Sequence, residues 1–520
     1  MHGTGTKAGD PIEAAAVHAA LGKGRTPRNP LYIGSVKSNI GHLEGASGIA
    51  AIIKGAMMLD RGLMLPNAEF RKPNPNIPMD EWNMKVLTTT RPWPSGKKYL
   101  SVSNYGFGGT NAHVVLEKAP LESKAPTEAA EDIEVDPKRK LFLISANDKE
   151  SLRHRIKDFG VYFEQHPEVF EKALFGNFAY TLGNKMSQLS YRVGVSATSL
   201  DELGMRLAQL KVNPFLVLGT PILSFVFTGQ GAQWAQMGIP LMHGYPVFAS
   251  AITRADKCLR DLGAEFSLLE ELEKDTATSQ INSPHLSQPA CTVLQIALVC
   301  LLQSWGIRPS SVVGHSSGEI SAAYAAGIYD LEAAVALAYR RGQMTSLLKA
   351  KFPALKGAMI AIGASRDDVQ PMLKTLSGYA TVACVNSPSS VTVSGDVLAI
   401  DDLEQILQDK QIFNRRLKID VAYHSDHMKN VADAYLTAIK NIQPSTSATA
   451  AFYSSVFGRL TDPSELGPAY WVANLTSPVL FPDALAKIVS DDETRPNLLV
   501  EVGPHSALKG PIMDTLKSLG

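Results

Sequence analysis

The chain has little of what would place it outside a cell or across a membrane. Four cysteines in 520 residues (Cys258, Cys291, Cys300 and Cys384) are too scattered for a disulfide framework and predict a reducing compartment. The formal net charge is +0, from 50 basic and 50 acidic side chains, so charge gives no reason to expect nucleic acid or an anionic membrane. Met1-His2-Gly3 opens neither a basic nor an apolar leader, and no secretory signal is expected. The longest apolar run, 292–302, contains Gln295 and is too short for a bilayer, so it reads as a core helix. Repeats and low-complexity tracts are absent. A hydrophobic content of 45% supports large cores, and the length predicts about three domains. A cytoplasmic multidomain enzyme of α/β class is expected.

Composition places the boundaries. Residues 1–117 end in the strand-like Ala112-His113-Val114-Val115-Leu116. Residues 118–139, rich in Glu, Ala and Pro with no apolar period, read as a linker. Residues 140–216 read as a small α/β module, with strands at 141–146 and 191–197 and a helix capped by Asp148. Residues 221–520 hold the chemistry.

There, Gly314-His315-Ser316-Ser317-Gly318-Glu319 follows the apolar Ser311-Val312-Val313 and precedes an Ala-rich helical segment. A serine flanked by small residues on a strand-to-helix turn is a nucleophile elbow, with free backbone N–H groups of the helix start beside it. Without chemistry, the same pattern is a Gly-Ser turn. Serine needs a base, and His424 in Val421-Ala422-Tyr423-His424-Ser425 follows a strand-like stretch, 416–421. His427 lies one helical turn further, but two histidines without further ligands do not make a zinc site, and no metal is expected. Arg341, after a helical run at 331–339, is either a surface charge or a clamp for a carboxylate beside Ser316. The strand-to-loop segment Phe225-Val226-Phe227-Thr228-Gly229-Gln230-Gly231 offers the Gln230 N–H as an oxyanion donor, with the Ser317 N–H as the other. His315 reads as a supporting residue and His505 as structural, near the cleft floor.

These motifs, together with Arg341-Gly342-Gln343 and Glu501-Val502-Gly503-Pro504-His505, resemble the malonyl/acyl-transferase domain of type I polyketide and fatty acid synthases. The resemblance implies an α/β-hydrolase-like core, Ser316 as nucleophile, His424 as base and Arg341, Gln230 and Ser317 as substrate-binding residues. It also implies that a backbone carbonyl within 477–480 orients the histidine. Malonyl-CoA would be the substrate and the phosphopantetheine of an acyl carrier protein the acceptor, with no cofactor bound in this chain. Strands at 357–363, 382–386, 390–395 and 413–420, with a helix at 399–408, follow a ferredoxin-like order within 357–420. That subdomain would wall a cleft suited to a long-armed ligand.

Residues 1–117 carry a second resemblance. His2-Gly3-Thr4-Gly5-Thr6, Lys37-Ser38-Asn39-Ile40-Gly41-His42 and Asn104-Tyr105-Gly106-Phe107-Gly108-Gly109-Thr110-Asn111 are similar to the C-terminal part of a β-ketoacyl synthase of thiolase fold. His2 and His42, with Lys37 beside them, would be its electrostatic half. The family's cysteine nucleophile has no counterpart here, so a partial, inactive ketosynthase is expected. By resemblance, 140–216 is the adapter between ketosynthase and acyltransferase, the style is that of fungal reducing synthases, and the parent family is homodimeric. Gly3-Thr4-Gly5-Thr6-Lys7 lacks the strand and ending of a phosphate loop. A serine hydrolase or thioesterase using the same elbow, or a non-catalytic truncated relic, are the alternatives.

Overall fold

The computed structural model describes residues 1–118, 139–166, 172–209, 215–216, 219–492 and 495–520. They fall into two units, Met1–Val135 and Asp136–Gly520. The linker expected at 118–139 lies outside the described residues except for Lys118 and Arg139.

In the first unit the helix Ser47–Arg61 ends at Gly62, whose φ of 63° takes the left-handed turn that glycine favours. The strand-like run at 112–116 forms the second arm of a hairpin, Tyr99–Tyr105 with Asn111–Glu117. Leu31–Ile33 runs parallel to Met84–Val86.

The second unit begins with the small module. Lys140–Ala146 pairs antiparallel with Tyr191–Ala197, and Phe215–Leu216 adds a short third strand. Asp148 caps the helix Lys149–Gln165 by accepting from the Ser151 N–H at 2.8 Å. Phe142, Leu152, Val195 and Leu203 give the module its own core.

The rest is built on a five-stranded sheet. Across it lie Arg459–Leu460, Ala451–Ser454, Ser311–Gly314, Leu223–Phe227 and Leu498–Val502, and the last four are mutually parallel. All four residues of Ser311–Gly314 are buried, as a central parallel strand covered on both faces requires. The helix Pro284–Ser304 is long and apolar enough to cross a membrane, yet 78% of its apolar window is buried, which makes it the core helix expected. The helix Leu331–Lys351 carries on well beyond 339, so Arg341 sits inside it and not after it.

A second sheet crosses in the order Asn414–Arg416, Gly357–Ile362, Ser390–Asp396, Ala380–Ser387. The neighbours are antiparallel, and the helices Arg366–Leu373 and Val397–Asp409 complete the ferredoxin-like order. Two expectations are corrected here. The strand expected at 413–420 is only Asn414–Arg416, and the sheet gains a fifth strand from outside 357–420, Val479–Leu480, parallel to Ala380–Ser387.

The turn between the elbow strand and its helix depends on missing side chains. A Cβ at Gly318 would meet the Phe227 carbonyl oxygen at 2.4 Å and that of Thr228 at 2.6 Å. Backbone against backbone cannot yield. Gly318→Ala should therefore cost about 1–3 kcal/mol as elbow and strand are forced apart. Urea unfolding measures this, and an unchanged midpoint would show that the two segments are not packed this closely.

Candidate active site

Ser316 sits between the end of its strand and the helix Gly318–Ala325, with a φ of 55°. A non-glycine residue in this left-handed region is strained by about 1–3 kcal/mol and persists only where its surroundings fix it. Here the Gly318 N–H donates to the His315 carbonyl at 3.0 Å, and the His315 N–H to Phe227 at 2.8 Å. His424 shares the conformation, also at φ 55°. It stands on a turn after irregular chain, not at the end of the strand expected at 416–421.

The two side chains meet. Ser316 Oγ lies 2.6 Å from His424 Nε2, and His424 Nδ1 lies 2.9 Å from the Ser477 carbonyl oxygen. A carbonyl only accepts, so Nδ1 carries the proton and Nε2 presents its lone pair to the serine hydroxyl. Burial, with help from nearby Arg341, lowers the His424 pKa to about 3, which keeps the ring neutral.

Arg341 is 1% exposed. Its Nη1 donates to Asn474 Oδ1 at 2.7 Å, Nη2 lies 3.5 Å from Ser316 Oγ, and Nε has no partner among the described residues. No ion pair joins it to a carboxylate among them. Burial lowers its pKa, opposed by Tyr435, Tyr423 and Glu319. A guanidinium stays charged even so. The site therefore holds a neutral base, a poised hydroxyl and a dry cation with unused donors.

The oxyanion donors depart from expectation. The Gln230 N–H is engaged, donating to Ser317 Oγ at 3.1 Å, because its loop passes directly over the elbow; a Cβ at Gly229 would stand 2.8 Å from the His315 carbonyl. Ser317 is buried at the helix start. His427 turns from His424 to Asp396 at 2.8 Å, and the described residues hold no cluster able to bind a metal. His505 is exposed, so it is no part of a cleft floor. His315 does support the elbow, through Asn386 Oδ1 at 3.0 Å.

Sequence reasoning missed Glu319 and Asn474. Glu319 is fully buried and accepts from the Ser455 N–H, from the Tyr470 hydroxyl at 2.7 Å and from Asn474 Nδ2 at 2.7 Å. Burial outweighs these bonds and raises its pKa to about 7. For Asn474 the signal available was a lone amide in the largely apolar helix Pro468–Thr476.

In the first unit, His2 Nδ1 lies 2.7 Å from Asn104 Oδ1 and 3.3 Å from Lys37 Nζ. The shorter contact makes Nδ1 the donor. His42 stacks edge-on at 5.4 Å, and burial lowers the Lys37 pKa. The three expected residues are thus brought together, with Asn104 added.

This geometry is that of an enzyme acting through a seryl intermediate, and comparison with known proteins agrees. The acyl transferase domain family matches residues 224–519, the β-ketoacyl synthase C-terminal domain 1–71, and the ketoacyl-synthetase C-terminal extension 73–192. The chain belongs to the acyltransferase family, in the form carried by fungal reducing polyketide synthases. Highly-reducing polyketide synthase 1 of Aureobasidium melanogenum is 58% identical over 100% of this chain and 24% of its own length. Highly reducing polyketide synthase Preu5 of Preussia isomera is 45% identical over 100% of this chain and 22% of its own. The chain thus spans about a quarter of the length of these relatives. Among solved structures, the acyltransferase domain from module 8 of the salinomycin polyketide synthase superposes with a TM-score of 0.65 at 27% identity, over 74% of this chain and 89% of that one. The acyltransferase domain of SpnD, in complex with 2-(pent-4-yn-1-yl)malonyl, gives 0.65 at 26% identity, over 74% and 88%.

Glu319 has a thermodynamic consequence. Its carboxyl ionises at about 7 when folded, against 4.5 ordinarily, so between those values the native chain holds a proton that the unfolded chain releases. Stability therefore falls as pH rises through this window, by about 3 kcal/mol in total. Glu319→Gln should remove that slope. Unfolding midpoints of the two proteins at pH 5 and pH 7.5 test it: the difference between them should shift in favour of the variant at the higher pH, and a constant difference refutes it.

Proposed function

We propose that the chain transfers malonyl from coenzyme A, through an ester on Ser316, to the phosphopantetheine thiol of an acyl carrier protein, in cytoplasmic polyketide biosynthesis. His424 Nε2 takes the Ser316 proton as Oγ attacks the thioester carbonyl, and returns it to the departing coenzyme A thiolate. In the second half the same nitrogen takes the carrier thiol's proton, and serine leaves as the alcohol. Ser317 and, after release of its bond to Ser317 Oγ, Gln230 would supply N–H groups to the oxyanion. Residues 1–117 would be ketosynthase-derived, with His2, His42 and Lys37 its polar remnant, and 140–216 the adapter.

The observation that carries malonyl is Arg341: a buried cation beside the nucleophile, touching no carboxylate among the described residues. A free carboxylate on the acyl group would complete it with two charge-assisted bonds worth about 1.5–3 kcal/mol each. An acetyl group offers no such partner and leaves the cation uncompensated. The malonyl-type group held by the SpnD acyltransferase domain points the same way for that protein.

Mass spectrometry of the chain after mixing with malonyl-CoA or acetyl-CoA tests the reading. A malonyl adduct should appear on Ser316 and vanish in Ser316→Ala. Arg341→Ala should lower malonyl loading by about two orders of magnitude while sparing acetyl. Release of free malonate would make the protein a hydrolase, absence of any adduct a relic, and equal loss of both acyl groups would reduce Arg341 to a fold element.

The neutral His424 generates a second expectation. With its pKa near 3, acylation should hold its rate from pH 8 down to pH 5. A base titrating at the ordinary value would lose about thirtyfold over that range. Initial rates across it decide, and a fall centred near pH 6.5 would contradict the assignment.

A further inference from the structure

We propose that Asn474 is the positioning residue behind the choice of acyl group: its amide aims Arg341 and keeps a buried carboxylate one amide's length from the guanidinium. This deepens the reading of Arg341 given above and rests on it.

Every polar atom of the Asn474 side chain is in use. Oδ1 accepts from Arg341 Nη1 at 2.7 Å, and Nδ2 donates to the Ser316 carbonyl at 3.0 Å and to Glu319 Oε2 at 2.7 Å. The residue is 1% exposed. One amide therefore touches the nucleophile's own residue, the cation beside it and the one buried carboxylate nearby.

The interposed amide solves a conflict. A buried guanidinium needs an anion close by, since removal from water is expensive. A carboxylate in direct contact would take two of its five N–H groups in a fork and cancel its charge. With Asn474 between them, Glu319, once ionised above about pH 7, still lowers the cation's energy through space, which falls only as 1/r. Only Nη1 is held by a short bond, while Nη2 makes a long contact to Ser316 Oγ. Nη2 stays beside Ser316 Oγ and Nε stays unpartnered, both available to a carboxylate on the acyl group. Fixing that orientation beforehand removes the entropy of aligning a long side chain when the substrate arrives. An acyl group without a carboxylate gains nothing from it, so the effect falls on selectivity.

The test is single-turnover loading of Ser316 in the full chain, with malonyl-CoA and acetyl-CoA compared. Asn474→Ala should lower the malonyl-to-acetyl ratio by about tenfold or more. Asn474→Asp, which fills the same space, should lower the ratio too, since its carboxylate would pair with the guanidinium directly. Tyr470→Phe removes another donor to the same Glu319 without touching Arg341, and should leave the ratio within about twofold of the unmodified chain. Acetyl loading reports folding in each case, and should Asn474→Ala load neither group, the aspartate variant decides. The proposal fails if both Asn474 variants keep the original ratio while Arg341→Ala changes it. It fails also if Tyr470→Phe shifts the ratio as far as they do, which would mean general loosening. An Arg341→Ala protein with an unchanged ratio would instead remove the underlying reading of Arg341.

Discussion

A full positive charge held out of water beside the nucleophile is the constraint to which the groups around it are fitted. Arg341 helps hold His424 neutral, and a neutral imidazole is what a serine hydroxyl needs as its proton acceptor. Close by, Glu319 is fully buried, its carboxyl pKa pushed up to about 7, and gathers a backbone N–H, a tyrosine and an asparagine around itself. Since none of these groups reaches water, each must find its partners within the protein. The elbow is locked by the same bonds that satisfy them.

Glycine makes that arrangement possible. Gly318 lets the elbow helix start against the carbonyls of the neighbouring strand, and Gly314 stands so close to the first turn that a Cβ would lie 2.2 Å from the Glu319 nitrogen. Packing at this density, between a central parallel strand and a short helix, gives Ser316 a single place to stand. The strain in its backbone is tolerated because the surroundings leave no relaxed alternative.

How much was legible in the sequence follows from how local each signal is. The elbow could be read because strand, glycines, serine and helix are contiguous, and the ferredoxin-like order because four of its strands lie in one stretch. His424 was found, but by the wrong route. The alternation of Leu417 and Ile419 with Lys418 and Asp420 imitates a strand, whereas only Leu417 bonds back, to Met359 at 2.9 Å, before the chain turns away. The helix bearing Arg341 was cut short because Arg340, Arg341 and Gly342 look like a polar end; in fact Asp330 caps its start and it runs to Lys351. Asn474 and the fifth strand Val479–Leu480 went unread, because the side chains and the sheet edge that give them their roles lie more than 90 residues away in the chain.

That fifth strand bears on how such a protein could be recombined. Val479–Leu480 begins two residues after the carbonyl that holds His424, pairs with Cys384 and Val385 in the small sheet, and is tied to the large sheet's side by the bond from the Leu480 N–H to Ser455. The inserted subdomain is therefore not a cassette. A chimera that exchanged 357–416 alone would ask a foreign sheet edge to accept a native strand, and any mismatch would be transmitted within two residues to the catalytic ring. Transplanting the helix Pro468–Thr476 and the strand after it together with the insertion keeps that seam between partners of common origin.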